Sequence, residues 1–230
     1  MLLLAAFLGN IGTRYKGTRH NVGWHLAERL PFSKELPWCK KFKGLWAQME
    51  RKALLEMSTA GSTDFNGSDS PDLIDSSFIN DKISFVMPGN YMNRSGESVY
   101  GAASFLKIKP EKIIVVHDEL ELALGTISLK FGGGLGGHNG LRSMKASFGT
   151  ADFWRLRIGI GRPDSRLPGE GGREGSGEGI VDWVLSDFYK EEQALLEPVL
   201  DAAAELLINT FIFGPEKFLP GFSKKKITQE

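Results

Sequence analysis

Short apolar runs alternate with helical stretches along this chain, and most of the runs end in a cluster of Gly, Asn, His or Asp. The runs at 2–8, 45–49, 83–87, 113–116, 126–131 and 154–160 are rich in Leu, Ile, Val and Phe. They are too short for helices and have strand length. Between them, apolar residues recur at helical spacing. Val22, Leu26 and Leu30 precede Pro31, and Val99, Ala102, Ala103 and Leu106 follow a candidate N-cap at Ser95. A longer helix is expected over 189–211, with Leu195, Val199, Ala202, Ala203 and Leu206 on one stripe. This alternation predicts an α/β fold: a single domain with a twisted, mixed, largely parallel sheet packed between helices.

The 230 residues suffice to bury a large core without disulfides. The single cysteine, Cys39, excludes an internal disulfide and a cysteine zinc site, and fits a reducing compartment. The apolar start at 2–8 is too short to span a bilayer and lacks a secretory signal's basic start and cleavage site. The expectation is a cytoplasmic protein with no membrane partner.

Two stretches read as loop insertions, near 58–80 and 164–179. The first is rich in Ser, Asp, Gly and Asn, the second in Gly. A basic tail follows at Lys224, Lys225 and Lys226. Formal charge is zero, with 28 basic and 28 acidic residues. Basic residues are in excess over 1–57 and 81–163, however, and acidic ones over 164–214. Basic segments of this kind can meet a polyanion, and they can equally be solvated surface.

In parallel α/β sheets, ligands bind outside the carboxyl ends of the strands. Four strand ends here carry Asn10 and His20, Asn93, Asp118, and His138 with Asn139. One or two imidazoles, a carboxylate and several amides suit acid–base chemistry at a carbonyl. His20 stands before a helix, whose positive end lowers an imidazole pKa, so a working base there needs a carboxylate partner. Asp118 is the best candidate, and a purely structural ion pair is its alternative. No histidine sits in a metal-ligand pattern, so no metal is expected. Gly132, Gly134 and Gly137 also satisfy a dinucleotide-binding spacing, with Asp152 downstream, although the helix that follows is short.

Taken together, LGNIGTRYKGTRHNVG (8–23), PGNYMNRSGESV (88–99), HDELELALGTISLKFGGGLGGHNGL (117–141) and FWRLRIGIGRP (153–163) resemble the bacterial-type peptidyl-tRNA hydrolase family. The resemblance spans nearly the whole chain apart from the two insertions. It implies a monomeric enzyme without metal or cofactor that cleaves the ester between a peptide and the terminal ribose of tRNA. By the same resemblance His20 is the general base, Asp118 holds it in its basic form, and Asn10 lies beside the scissile carbonyl. Tyr15, Tyr91, Asn93 and Asn139 line the groove, and Lys130, Arg157 and Lys145 meet phosphates. Side-chain amides, or the backbone of Gly9 and Asn10, are the expected oxyanion donors.

This sequence departs from the family pattern at Ile11, where proline is usual, at Tyr91, where phenylalanine is commoner, and at Leu135 in the glycine loop. None of these changes removes a proposed catalytic group. Two alternatives remain at this point: a non-catalytic RNA-binding protein of the same fold, and a dinucleotide-dependent enzyme.

Overall fold

The apolar runs with no polar alternation become the buried centre of one sheet, as strands covered on both faces must. The structure is a computed structural model that describes residues 1–61, 79, 81–163 and 177–227. Its strands are β1 (Leu4–Phe7), β2 (Cys39–Lys41), β3 (Gly44–Glu50), β4 (Lys82–Pro88), β5 (Ile113–Glu119), β6 (Thr126–Phe131), β7 (Trp154–Gly159) and β8 (Lys225–Lys226). The helices are α1 (Val22–Arg29), α2 (Arg51–Gly61), α3 (Ser95–Leu106), α4 (Asn139–Phe148), α5 (Gly177–Leu185), α6 (Lys190–Phe213) and α7 (Pro215–Phe218). The sheet order is β2-β3-β4-β1-β5-β7-β6-β8. The central strands β4, β1, β5 and β7 are parallel, and antiparallel strands flank them on both sides.

Side chains alternate across the sheet and divide the core in two. Ala5, Phe7, Ile114, Val116, Leu156 and Ile158 pack against Leu26 of α1 and Val199, Ala203 and Leu207 of α6. Leu4, Ala6, Val86, Ile113 and Val115 pack against Val99 and Ala103 of α3 and Leu141 and Met144 of α4. Full burial of each Leu, Ile, Val, Phe or Met among them is worth roughly 1.5–3 kcal/mol. Gly23 brings α1 onto the strand ends, because a Cβ there would lie 2.5 Å from the Leu8 carbonyl oxygen and 3.0 Å from that of Val116.

Several expectations need correction. β1 is shorter than 2–8, while β5 continues to Glu119. His117 and Asp118 therefore lie within the strand, on opposite faces, and not in the loop beyond it. Arg94, not Ser95, holds the cap position of α3, because a 3-10 turn over Met92–Arg94 leads straight into the helix. Leu195 faces solvent on α6.

The first expected insertion begins inside α2, which runs to Gly61, and α5 starts within the second. Residues 62–78, 80 and 164–176 of these stretches lie outside the described residues. The lysine run near the C-terminus does not trail as a tail: Lys225 and Lys226 pair with Ile127 and Thr126 as β8.

The most consequential difference is the direction of β6. It runs antiparallel to β7, with Phe131 opposite Trp154 at the amino-terminal edge of the parallel strands. The glycine-rich stretch 132–138 must therefore carry the chain back across the sheet. Positive φ at Gly132, Gly133, Gly136 and Gly137 permits that path. Buried Arg155 of β7 fixes it, donating to the carbonyls of Gly134 at 2.6 Å and Gly133 at 2.8 Å.

Candidate active site

β5 turns Asp118 toward the face that carries α1, and a 3-10 turn over Arg19–Asn21 places His20 just ahead of that helix. His20 Nδ1 lies 2.8 Å from Asp118 Oδ1, and both side chains are buried. His138, delivered by the glycine-rich stretch, reaches the same oxygen through Nε2 at 2.9 Å. The rings of His20 and His138 stand 4.9 Å apart.

The protons on these rings follow from their partners. His138 caps α4: its Nδ1 accepts the N–H groups of Gly140 at 3.1 Å and Leu141 at 3.3 Å. Nδ1 is thus without hydrogen, and Nε2 carries the proton donated to Asp118. His20 donates from Nδ1 to the same carboxylate, which leaves Nε2 as its lone-pair nitrogen. Burial opposes charge on His20, but the charge and hydrogen bond of Asp118 outweigh it and raise the pKa above the ordinary imidazole value. For Asp118, burial is again the opposing influence. The two imidazoles overcome it and hold the carboxyl well below its usual range.

His117 points to the other face, its ring 5.0 Å from that of His138. Its Nδ1 donates to the Asp118 carbonyl at 2.7 Å, and its buried Nε2 has no partner among the described residues. Burial first, then His138 and Arg155, push its pKa well below normal against the pull of Asp118.

Asn10 is set from two sides. Its backbone N–H donates to Asn21 Oδ1 at 2.8 Å, and its carbonyl accepts from Asn21 Nδ2 at 3.1 Å. Its side-chain Oδ1 accepts the Met92 N–H at 2.8 Å. The amide is thereby oriented, and its NH2 end has no protein partner among the described residues. The backbone N–H of Asn10, expected as an oxyanion donor, is not available because Asn21 takes it.

Around this centre, Tyr15 and the exposed Tyr91 meet edge to face with ring centres 6.4 Å apart, so the tyrosine at 91 packs as an aromatic. Asn93 is exposed in the 3-10 turn that packs on α4. Asn139, the first residue of α4, is exposed and accepts from Arg142 at 3.3 Å. The three expected cations differ in setting. Lys130 is exposed on β6 and Lys145 on α4, whereas Arg157 of β7 is paired with Glu119 at 2.8 Å.

The structure thus gathers His20, Asp118 and Asn10 with the two tyrosines and two outer asparagines at the β1 and β5 ends. The sequence reading gave His138 no role of its own and missed Asn21. An imidazole capping a helix looks in sequence like any polar turn residue.

His20, Asp118 and His138 also have a metal site's composition, with ligand atoms within 4.8 Å of one another. The cap does not fit an ion, since His138 Nε2 bears hydrogen and offers no lone pair. A dinucleotide site is likewise disfavoured. β6 is not part of a parallel βαβ unit, and His138 occupies the first N–H groups of α4 that a pyrophosphate would need.

An imidazole backed by a carboxylate, beside an oriented amide, is the equipment of a hydrolase that acts on an activated carbonyl. The peptidyl-tRNA hydrolase family profile matches residues 4–230. A peptidyl-tRNA hydrolase of Treponema pallidum (strain Nichols) is 43% identical over 204 residues, covering 89% of this chain and 84% of that one. One from Azoarcus sp. (strain BH72) is 38% identical over 206 residues, covering 87% and 74%. A crystal structure of peptidyl-tRNA hydrolase from Acinetobacter baumannii superposes with a TM-score of 0.70 at 30% identity, covering 96% of this chain and 92% of that one. The chain belongs to the peptidyl-tRNA hydrolase family. It is an ester hydrolase that releases peptide from peptidyl-tRNA, and neither alternative from the sequence is favoured.

Proposed function

We propose that His20 is the general base of this hydrolysis and Asn10 the principal oxyanion donor. The observation that carries this reading is the 2.8 Å contact of His20 Nδ1 with Asp118, which leaves Nε2 free to take a proton. A water bound at Nε2 attacks the ester carbonyl carbon and gives its proton to His20. The oxyanion that forms is met by the Asn10 NH2, a contact of a kind worth roughly 10²–10³ in rate. Collapse expels the ribose oxygen, which takes the proton back from His20, so the base is restored without a covalent intermediate.

Tyr15, Tyr91, Asn93 and Asn139 line the groove for the peptide and the tRNA terminus, and Lys130, Lys145 and Arg157 meet phosphates. Of these cations, Arg157 has to share its charge with Glu119. The enzyme works as one monomeric domain in the cytoplasm and needs no metal or cofactor. No helix among the described residues is long and apolar enough to cross a membrane.

His20→Ala tests the assignment. Turnover of an N-acylated aminoacyl-tRNA is expected to be nearly abolished, with tRNA affinity retained, since a ring buried against Asp118 adds little to polyanion binding. Comparable turnover in variant and wild type would remove His20 from the role of base.

A further inference from the structure

Arg19 is fully buried beside the site, and the mechanism above gives it no chemical task. Its guanidinium carbon lies 3.7 Å from the ring centre of Trp183, 4.9 Å from that of Phe188 and 5.2 Å from that of Tyr189. Nε donates to Ser186 Oγ at 3.3 Å. Nη2 forms an ion pair with Glu192 Oε2 at 2.7 Å, outside hydrogen-bond alignment. The same Oε2 accepts the Tyr189 N–H at 2.8 Å as half of the box that caps α6.

The backbone completes the clamp. The Arg19 N–H donates to the Ser186 carbonyl at 2.9 Å, and Thr18 bridges Asp187 in antiparallel fashion. Trp183, the closest ring, donates from Nε1 to the Gly161 carbonyl at 2.9 Å, just past β7.

His20 is thus bracketed. Asn21, on one side, is tied to Asn10 at the end of β1, and Arg19, on the other, is tied to the junction of α5 and α6. Arg19 is not among the groups that shift the His20 titration, which responds to burial and Asp118. Its influence is therefore geometric. A planar guanidinium can lie against rings while keeping a carboxylate partner, whereas a lysine ammonium is a strongly hydrated point charge.

We propose that Arg19 is a positioning residue for the reaction: docked in the box of Trp183, Phe188 and Tyr189, it fixes the His20 backbone so that the imidazole meets Asp118. The catalytic consequence rests on His20 being the base. The geometric consequence does not.

The test compares Arg19→Met, which keeps a stem of similar bulk, and Arg19→Lys with the wild type. Three measurements are made: steady-state kinetics on peptidyl-tRNA for kcat and KM, the thermal melt, and the His20 titration followed by NMR of its ring Cε1–H in the free enzyme. Arg19→Met is expected to lower kcat roughly 10- to 100-fold, the scale of an ångström-sized misplacement, with KM little changed. Its His20 titration moves down toward the ordinary imidazole value, and Arg19→Lys recovers only part of either effect.

A variant that melts earlier yet keeps wild-type kcat and His20 titration would show Arg19 to be structural only and overturn the proposal. Should Arg19→Met fail to fold, Trp183→Leu removes the closest ring and leaves the ion pair, and the same readouts decide. Because the titration is read without substrate, it reports on Arg19 even if His20→Ala proves active and the base assignment falls.

Discussion

The side chain of Asn21 meets the backbone of Asn10 as a neighbouring strand would, accepting its N–H at 2.8 Å and donating to its carbonyl at 3.1 Å. The end of β1 is thereby joined to the residue that follows the base. Both partners are buried, so neither bond is readily replaced by water.

Asn21→Ala should destabilise the protein by about 1–3 kcal/mol, the cost of leaving buried groups unpaired. Asn21→Asp keeps the acceptor but loses the donor, and kcat should fall about tenfold or more while tRNA affinity holds. Urea titration and steady-state kinetics read the two effects. A wild-type kcat in Asn21→Asp would show that the tie does not position Asn10.

Asp118→Asn should move the acid limb of the pH–rate profile to lower pH. His20 must be unprotonated to act, so activity falls as pH drops through its raised pKa. Without the carboxylate, burial alone remains and pushes the pKa below its ordinary value, with each unit worth about 1.4 kcal/mol. The plateau should fall too, because the ring loses its orienting acceptor. An unmoved midpoint in kcat/KM between pH 5 and 9 would assign Asp118 a structural part only.

His117 should make the fold sensitive to acid. Its folded pKa lies well below normal while the unfolded chain takes up a proton near pH 6.5, so stability is lost as pH falls below that value. His20 has the opposite sign: its contribution is complete below the unfolded pKa and disappears as pH rises through the raised folded one. His117→Asn should therefore show a smaller loss of stability from pH 6.5 to pH 5 by urea titration. Equal losses in variant and wild type would clear His117 of this role.

Lys130→Gln should lower the slope of log affinity for tRNA against log salt by about 0.7–0.9, the share of one phosphate. Arg157→Gln should change it less, because that guanidinium is already paired with Glu119. Both should weaken different tRNAs alike, since phosphate contacts carry no sequence information. A slope unchanged by Lys130→Gln would place this lysine outside the interface.

Much of this arrangement was legible in the sequence, because apolar runs of strand length with polar ends leave few placements in an α/β fold. The direction of β6 could also have been read. The link 120–125 is too short for the crossover that joins parallel strands. β8 could not, since two lysines have no periodicity and pair only because β6 offers an edge. Arg19 was the hardest to see. A basic residue in a polar cluster reads as surface, and the rings that enclose it stand more than 160 positions along the chain. The role of His138 depends on which nitrogen faces its own helix, and sequence does not encode that directly.

The two outermost strands have a bearing on how this chain behaves when crowded. β2 is three residues long and exposed, with Lys40 and Lys41 in it, and β8 is a pair of exposed lysines. An unpaired strand edge is a template on which another chain can add by backbone bonding. Here each border of the sheet offers a ladder too short to extend, set among ammonium groups that repel a second copy. The central strands, which are apolar enough to aggregate if they were laid open, are thereby kept from acting as seeds.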